Sequence, residues 1–267
     1  MIRAALLGAV QGLTEFLPVS SSGHLVLASR LVHVEEPTTL LAAVLHLGTL
    51  VSIFIVFRRE VWRLTRAIVR SDDPAARRWI GKLVIASVPI AVVGWFGASA
   101  IRSAFDSTLL VGICLLLTAG LLFAAHAASK RNTVRRQEPR ITDTVWIGIA
   151  QAAALLPGIS RSGATLAAGL LAGVGQDEAV RFSFLLSIPA VLGAASFELL
   201  SVEPGSVANH TADLIVAGIV AAVVGWLAIH GLLAAVRRGR LTWFALYCTA
   251  LGVSAIVVSW VAGAGAP

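Results

Sequence analysis

The sequence predicts an all-α polytopic membrane protein: six transmembrane helices plus two re-entrant helical hairpins arranged as inverted repeats. Three observations predict it. Of the 267 residues, 57% are apolar and only 13% charged, with a mean hydropathy of +0.87, where a soluble domain carries about 25% charge. Sixteen of the 21 Lys and Arg fall in three short loops between apolar runs. The chain also repeats itself: at an offset of 140 positions Gly8 meets Gly148, Gln11 meets Gln151, Ser20 meets Ser160, Ser22 meets Ser162 and Gly23 meets Gly163, with no gap.

The first element, about 2–34, begins as an apolar helix and breaks within residues 11–24, QGLTEFLPVSSSGH. Gln11 and Glu15 fall four apart, on one helical face. Pro18 disfavours helix at Leu17, and the serines cap a new helix near Gly23. The run before the break is shorter than the roughly 20 residues a span needs. A polar tip at membrane depth is tolerated only where protein or a cavity surrounds it, so the element reads as a re-entrant hairpin. An intramembrane carboxylate costs about 2.5–3.5 kcal/mol on insertion scales, which marks Glu15 as a functional position.

After a polar link containing Glu35, Glu36 and Pro37, full spans follow at roughly 40–57, 83–100 and 109–128. A second broken region occupies about 144–175, and spans at roughly 179–200, 214–235 and 242–262 complete the chain. Loops 58–82, 129–143 and 236–241 carry eight, five and three basic residues; loops 101–108 and 201–213 hold only Arg102. The positive-inside rule makes the three basic loops cytoplasmic. One span, 179–200, then separates an inner loop from an outer one, so 144–175 must enter and leave on the cytoplasmic side. The same count puts 2–34 on the outer side. Residues 1–267 form a single membrane domain whose halves, about 1–128 and 141–267, each hold one hairpin and three spans. Three is odd, so the halves are inverted. Inverted repeats with broken helices hold their site near the midplane, with half-helix N-termini facing an anionic group.

The charge layout also removes nucleic acid as the reason for a pI near 10.9. The arginines sit between spans and not along an amphipathic face, where they set topology and contact anionic bilayer lipids. Cys114 and Cys248 lie in separate apolar runs and form no metal or redox motif. Gly8/Gly12 and Gly169/Gly173 are small-xxx-small pairs that admit close helix approach. Pro89 and Pro189 mark kinks within spans.

Chemistry concentrates at the two breaks. The second reads PGISRSGAT, residues 157–165. Glycines there permit close backbone approach, Ser160 and Ser162 cap and donate, and the following helix offers free amides: an anion cradle. Arg161 adds a permanently charged fork that suits phosphate oxygens. At the first break Ser21 and His24 are three apart, on one face of a helical turn. With Glu15 across the break they supply a hydroxyl, an imidazole base and a carboxylate that orients the base or binds a divalent metal. Ser20 and Ser22 read equally well as caps. His46, in LHLGT, reads as a packing residue or a helix–helix hydrogen bond.

Together the runs QGLTEFLPVSSSGH and PGISRSGAT resemble the undecaprenyl-diphosphate phosphatases, membrane enzymes linked to bacitracin resistance, and the apolar layout matches across essentially the whole chain. The resemblance assigns Gln11 and Glu15 to the family's acidic motif, Ser21 and His24 to its serine/histidine tip, and Ser160, Arg161, Ser162 and Thr165 to its PGxSRSxxT motif. It implies hydrolysis of undecaprenyl diphosphate to the monophosphate carrier of cell-wall synthesis, in the bacterial inner membrane, at a site opening outward. Glu15, Ser21, His24 and Arg161 become the expected catalytic residues, and Gln11, Ser20, Ser160, Ser162, Gly163 and Thr165 the expected substrate-binding ones. A divalent cation, magnesium or calcium, is implied with Glu15 as its ligand. The first acidic position here is Gln11, a weaker ligand for hard cations than a carboxylate. Glu15 and the substrate's phosphate oxygens would therefore hold the metal, with Gln11 hydrogen-bonding the headgroup. Ser21, His24 and an activated water all stay open as the nucleophile, and the oligomeric state stays open, a homodimer included. The rival is a polyprenyl-phosphate transporter or flippase using the same midplane anion site; translocation alone needs no nucleophile, so the Ser21/His24 pair favours the phosphatase.

Overall fold

Helices are what an apolar chain forms when its surroundings cannot hydrogen-bond the backbone. The structure, a computed structural model, describes residues 1–24, 39–70, 72–131, 135–200 and 211–264. Its helices are α1 (Ile2–Phe16), α2 (Thr39–Val56), α3 (Arg58–Arg70), α4 (Pro74–Phe96), α5 (Ala98–Phe105), α6 (Thr108–Arg131), α7 (Ile141–Ala153), α8 (Arg161–Leu171), α9 (Gln176–Leu200), α10 (Thr211–Arg237) and α11 (Leu241–Ala264). Six of them, α2, α4, α6, α9, α10 and α11, are long and apolar enough to cross a membrane. The protein is an all-α, multi-pass membrane protein. α1, α7 and α8, at 15, 13 and 11 residues, are shorter than a span requires. The return arm of the first broken element, residues 25–34, lies outside the described residues, as do the link at Glu35, Glu36 and Pro37 and most of loop 201–213.

Two stretches expected as loops contain helix. Basic loop 58–82 holds α3 and the start of α4, which begins at Pro74 and not near 83. Its arginines mask an amphipathic pattern: Val61 and Leu64 pack against the main core and Ala67 is buried, while the basic side chains face outward. Asp73 closes the corner between the two helices. Its carboxylate accepts from the Ala76 amide at 2.9 Å and takes the Arg63 guanidinium at 2.6 and 3.1 Å. Arg63, and then the Ala76 amide, hold the Asp73 carboxyl down at about 2. A depressed carboxylate contributes its stability above its ordinary range and loses it as the pH falls through about 2, so this corner keeps its charge under all neutral conditions. Similarly, α5 occupies most of the expected loop 101–108.

α1 and α7 each pack on a span of the other half. α1 lies on α10, where a Cβ at Gly8 would sit 2.5 Å from the Ala217 carbonyl oxygen, and one at Gly12 2.6 Å from that of Ala221. α7 lies on α4, where a Cβ at Gly148, 140 positions after Gly8, would sit 2.7 Å from the Ala86 carbonyl oxygen. Backbone cannot yield as a side chain tip can. Gly12→Ala is therefore expected to lower the thermal unfolding temperature in detergent, an overpacking cost of about 1–3 kcal/mol, with Gly120→Ala, whose Cβ would meet nothing within 4 Å, as the neutral control.

Under the two breaks lies the main apolar core, with Phe16, Phe57, Leu166, Phe184 and Leu185 buried together. Phe16 stands edge-on to Phe184, with ring centroids 5.6 Å apart, which fixes the end of α1 beside Glu15. Arg136 joins the start of α7 to the end of α8. Its guanidinium bonds Asp143 and the Ala172 carbonyl, and its backbone exchanges hydrogen bonds with Gly173 and Gly175. The two arms of this helical hairpin thus begin and end together.

Candidate active site

Each break builds the same small device from a serine. Pro18 forces Leu17 into an extended conformation (φ −69°, ψ 144°), which ends α1. Ser20 then takes a left-handed φ of 70°, and its Oγ accepts from the Gly23 amide at 3.4 Å and lies 3.3 Å from the Ser22 hydroxyl. In the second break Ser160 caps α8: its Oγ accepts from the Gly163 amide at 3.1 Å and lies 3.2 Å from the Ser162 hydroxyl. The two turns touch. The Gly158 amide donates to Ser20 Oγ at 3.2 Å, and the Ser162 hydroxyl donates to the Leu17 carbonyl at 3.1 Å. Gly158 has a φ of 97°, and a Cβ there would lie 2.4 Å from the Val111 carbonyl oxygen, so this turn requires glycine.

One residue after each capping serine stands a polar side chain, Ser21 in the first break and Arg161 in the second, and both reach Glu15. The Ser21 hydroxyl donates to Glu15 Oε2 at 2.7 Å, the Gln11 amide donates to the same oxygen at 3.0 Å, and the Arg161 guanidinium pairs with Oε1. Side chains of Glu15 and Arg161 are 5% and 16% exposed. Isolated charges at that depth are strongly unfavourable, and the pair with its hydrogen bonds makes them tenable. Glu15, Ser21, Ser160 and Arg161 face a cavity of about 1050 Å³, room enough for a phosphorylated headgroup.

The other expected residues are placed differently. His24 makes no hydrogen bond to Ser21 among the described residues. Its Nδ1 lies 2.7 Å from the Ser20 carbonyl oxygen and its Nε2 2.6 Å from the Tyr247 hydroxyl, with the two rings stacked. A carbonyl only accepts, so Nδ1 carries the proton, and in the neutral ring Nε2 accepts from Tyr247. Gln11 is fully buried and reaches the cavity through Glu15. Thr165 is buried behind the cradle, bonded to the Arg161 carbonyl at 2.8 Å and to the Ser183 hydroxyl at 2.5 Å. Gly163 packs between Ser160 and Pro18.

Three residues at the site escaped sequence reasoning. Tyr247 looked like one aromatic among many in a span. His46 does make a helix–helix hydrogen bond, to Glu198 of α9 at 3.1 Å, and both line the cavity. Glu198 carried a usable signal: it lies inside the predicted span 179–200, so the rule that selected Glu15 selects it too. The third, Gln151, was visible only as the repeat partner of Gln11.

A divalent cation would meet few oxygen donors here. Among the described residues no three His, Cys, Asp or Glu converge; Glu15 offers one carboxylate, with the Ser21 and Ser22 hydroxyls nearby on the cavity wall. That suits a small hard cation held by one carboxylate and mainly by substrate phosphates, as magnesium often is.

Comparison with known proteins adds the lineage. The family model described as bacitracin resistance protein BacA matches residues 4–254. The undecaprenyl-diphosphatase of Desulforudis audaxviator is 39% identical over 258 residues, covering 97% of each chain. That of Bacteroides fragilis is 40% identical over 262 residues, covering 96% of this chain and 97% of its own. The protein of the same name from Rubrobacter xylanophilus is 42% identical over 262 residues, with 94% and 95% covered.

Proposed function

The chain belongs to the bacitracin resistance protein BacA family, and from that premise we infer that it hydrolyses undecaprenyl diphosphate to undecaprenyl phosphate and inorganic phosphate. The reaction returns the lipid carrier to peptidoglycan synthesis and underlies bacitracin resistance. The observation that carries this reading is the convergence of Ser21, Glu15 and Arg161 on one cavity: a hydroxyl already donating to a buried carboxylate, beside a guanidinium.

In the mechanism that follows, the diphosphate enters from the bilayer with its headgroup between the two turns. Arg161 passes from Glu15 to the phosphate oxygens and neutralises the charge that accumulates on them. Ser21 Oγ attacks the terminal phosphorus while Glu15 Oε2 takes its proton. The bond from phosphorus to the bridging oxygen breaks, and undecaprenyl phosphate leaves with the electron pair. Glu15 passes that proton to the departing phosphate, then takes one from the water that attacks the phosphoserine and returns it to Ser21 Oγ as the bond from phosphorus to Oγ breaks. Phosphoryl transfer needs chiefly positioning and charge stabilisation, which this cluster supplies. His24 joins as a second proton carrier on release from Tyr247, and Ser20, Ser160, Ser162 and Gly163 hold the cradle. Magnesium or calcium held by Glu15 and the phosphate oxygens would supply further neutralisation of the headgroup. The family resemblance implies a site opening to the outer face of the bacterial inner membrane, and the cavity's lining by Ser99, Arg102 and Asp106, at the end of the spans opposite the basic loops, supports that reading.

Purified protein is expected to release phosphate from undecaprenyl diphosphate, to stop on addition of chelator, and to recover with magnesium or calcium. Protein that moved labelled lipid between leaflets and released no phosphate would instead be a flippase, a reading that the Ser21–Glu15 hydrogen bond disfavours because translocation needs no activated hydroxyl.

A further inference from the structure

We propose that Gln151 is a headgroup-binding residue, its side-chain amide donating to a phosphate oxygen of the bound lipid diphosphate. Gln151 is fully buried, yet neither Nε2 nor Oε1 has a hydrogen-bond partner among the described residues. It lines the same cavity as Arg161, Glu15 and Ser21. A buried amide with both ends unmet is strongly disfavoured unless something that visits the site meets them.

The repeat explains why the amide is left open. At the offset of 140, Gln11 corresponds to Gln151, and Glu15 to Leu155. Gln11 spends its Nε2–H on Glu15 at 3.0 Å. Gln151 has leucine where that carboxylate would stand, so the same donor on the same kind of short helix lacks its internal acceptor. Nor can it turn away. One turn earlier Gly148 holds α7 against the Ala86 backbone of α4, as Gly8 holds α1 against α10. The amide is fixed at the cavity wall, and what the first break offers as a carboxylate the second leaves for an incoming anion. Both ends of the carboxamide are open, so the assignment does not depend on which way the amide is turned: one end donates to phosphate, the other accepts from a water that enters with it.

This inference rests on the diphosphatase reading. The test is steady-state phosphate release from undecaprenyl diphosphate, with thermal unfolding measured on the same preparations of wild type, Q151L and Q151E. Leucine fills the space without an orphaned amide. Q151L is expected to unfold at or above the wild-type temperature while KM rises about tenfold or more and kcat changes less than about threefold, the pattern of a lost ground-state contact to a charged group. Q151E, equal in size but without the donor and with like charge facing the phosphate, is expected to raise KM further. Wild-type protein that releases no phosphate would sink the diphosphatase reading itself. Active wild type with an unchanged KM in Q151L overturns the role of Gln151, whether or not the variant unfolds earlier. An earlier unfolding would then mark the glutamine as the anchor of a structural water. A lower KM in Q151E would also overturn it.

Discussion

Arg161→Ala is expected to cut kcat/KM for phosphate release by about 10³-fold or more, with the protein still inserted in the membrane. Arg161 is aimed into the cavity from the head of α8, and with the neighbouring amides it can balance the charge that the transferring phosphoryl group gathers. Arg161→Lys keeps the charge and loses the planar fork, so it should recover part of the rate at most. Near-normal release by Arg161→Ala would show that the cradle is not where the headgroup binds. The structure adds a second readout. Arg161 is also the partner of Glu15, and removing one member of a buried pair strands the other charge, at a cost of about 3–5 kcal/mol. Arg161→Ala should therefore unfold earlier than wild type, and Arg161→Ala combined with Glu15→Gln should unfold later than Arg161→Ala alone, since no charge is then left unpaired.

Glu15→Gln is the second large effect, a fall in kcat of about 10²–10⁴-fold. Glutamine matches the carboxylate in shape, so the packing of Phe16 and the turn at Pro18 persist while the proton acceptor for Ser21 is lost. The geometry also predicts how the nucleophile will be found. Rapid quench of the wild type with terminally labelled lipid should trap phosphate on Ser21, whose hydroxyl already points its proton at Glu15. Label on His24, or none on the protein with full turnover, would move the attack to the imidazole or to water.

Much of this is legible in the sequence alone. Pro18 and the serine run announce the first break because proline and capping chemistry act over three or four residues, and Arg161 stands out among glycines and serines for the same local reason. The 140-residue offset drew Gln151 next to Gln11 without any knowledge of packing. What could not be read were partnerships across the fold. His24 faces Tyr247, 223 residues away, and His46 faces Glu198, 152 residues away, and no local rule encodes such distances. The pairing of Ser21 with His24 expected from spacing gives way partly for that reason: an i, i+3 relation puts two side chains on one face, but Tyr247 of α11 takes the imidazole while Ser21 bonds the nearby Glu15. α3 was hidden differently, since its arginines outweigh its inward-facing Val61, Leu64 and Ala67 in any reading based on charge.

The seating of each short helix on a span of the other half has a consequence for how the molecule comes to exist. α1 cannot dock until α10 has been inserted, roughly 200 residues of chain later, and closing so long a loop is slow relative to local helix formation. Until it docks, Glu15 lacks its pairing with Arg161 and an enclosing wall, which disfavours burying α1 alone in the bilayer. The docking step is then also the one that completes the site. Docking of α1 brings Glu15 to Arg161, and a chain shortened within α10 should leave its first helix accessible to protease from the water side.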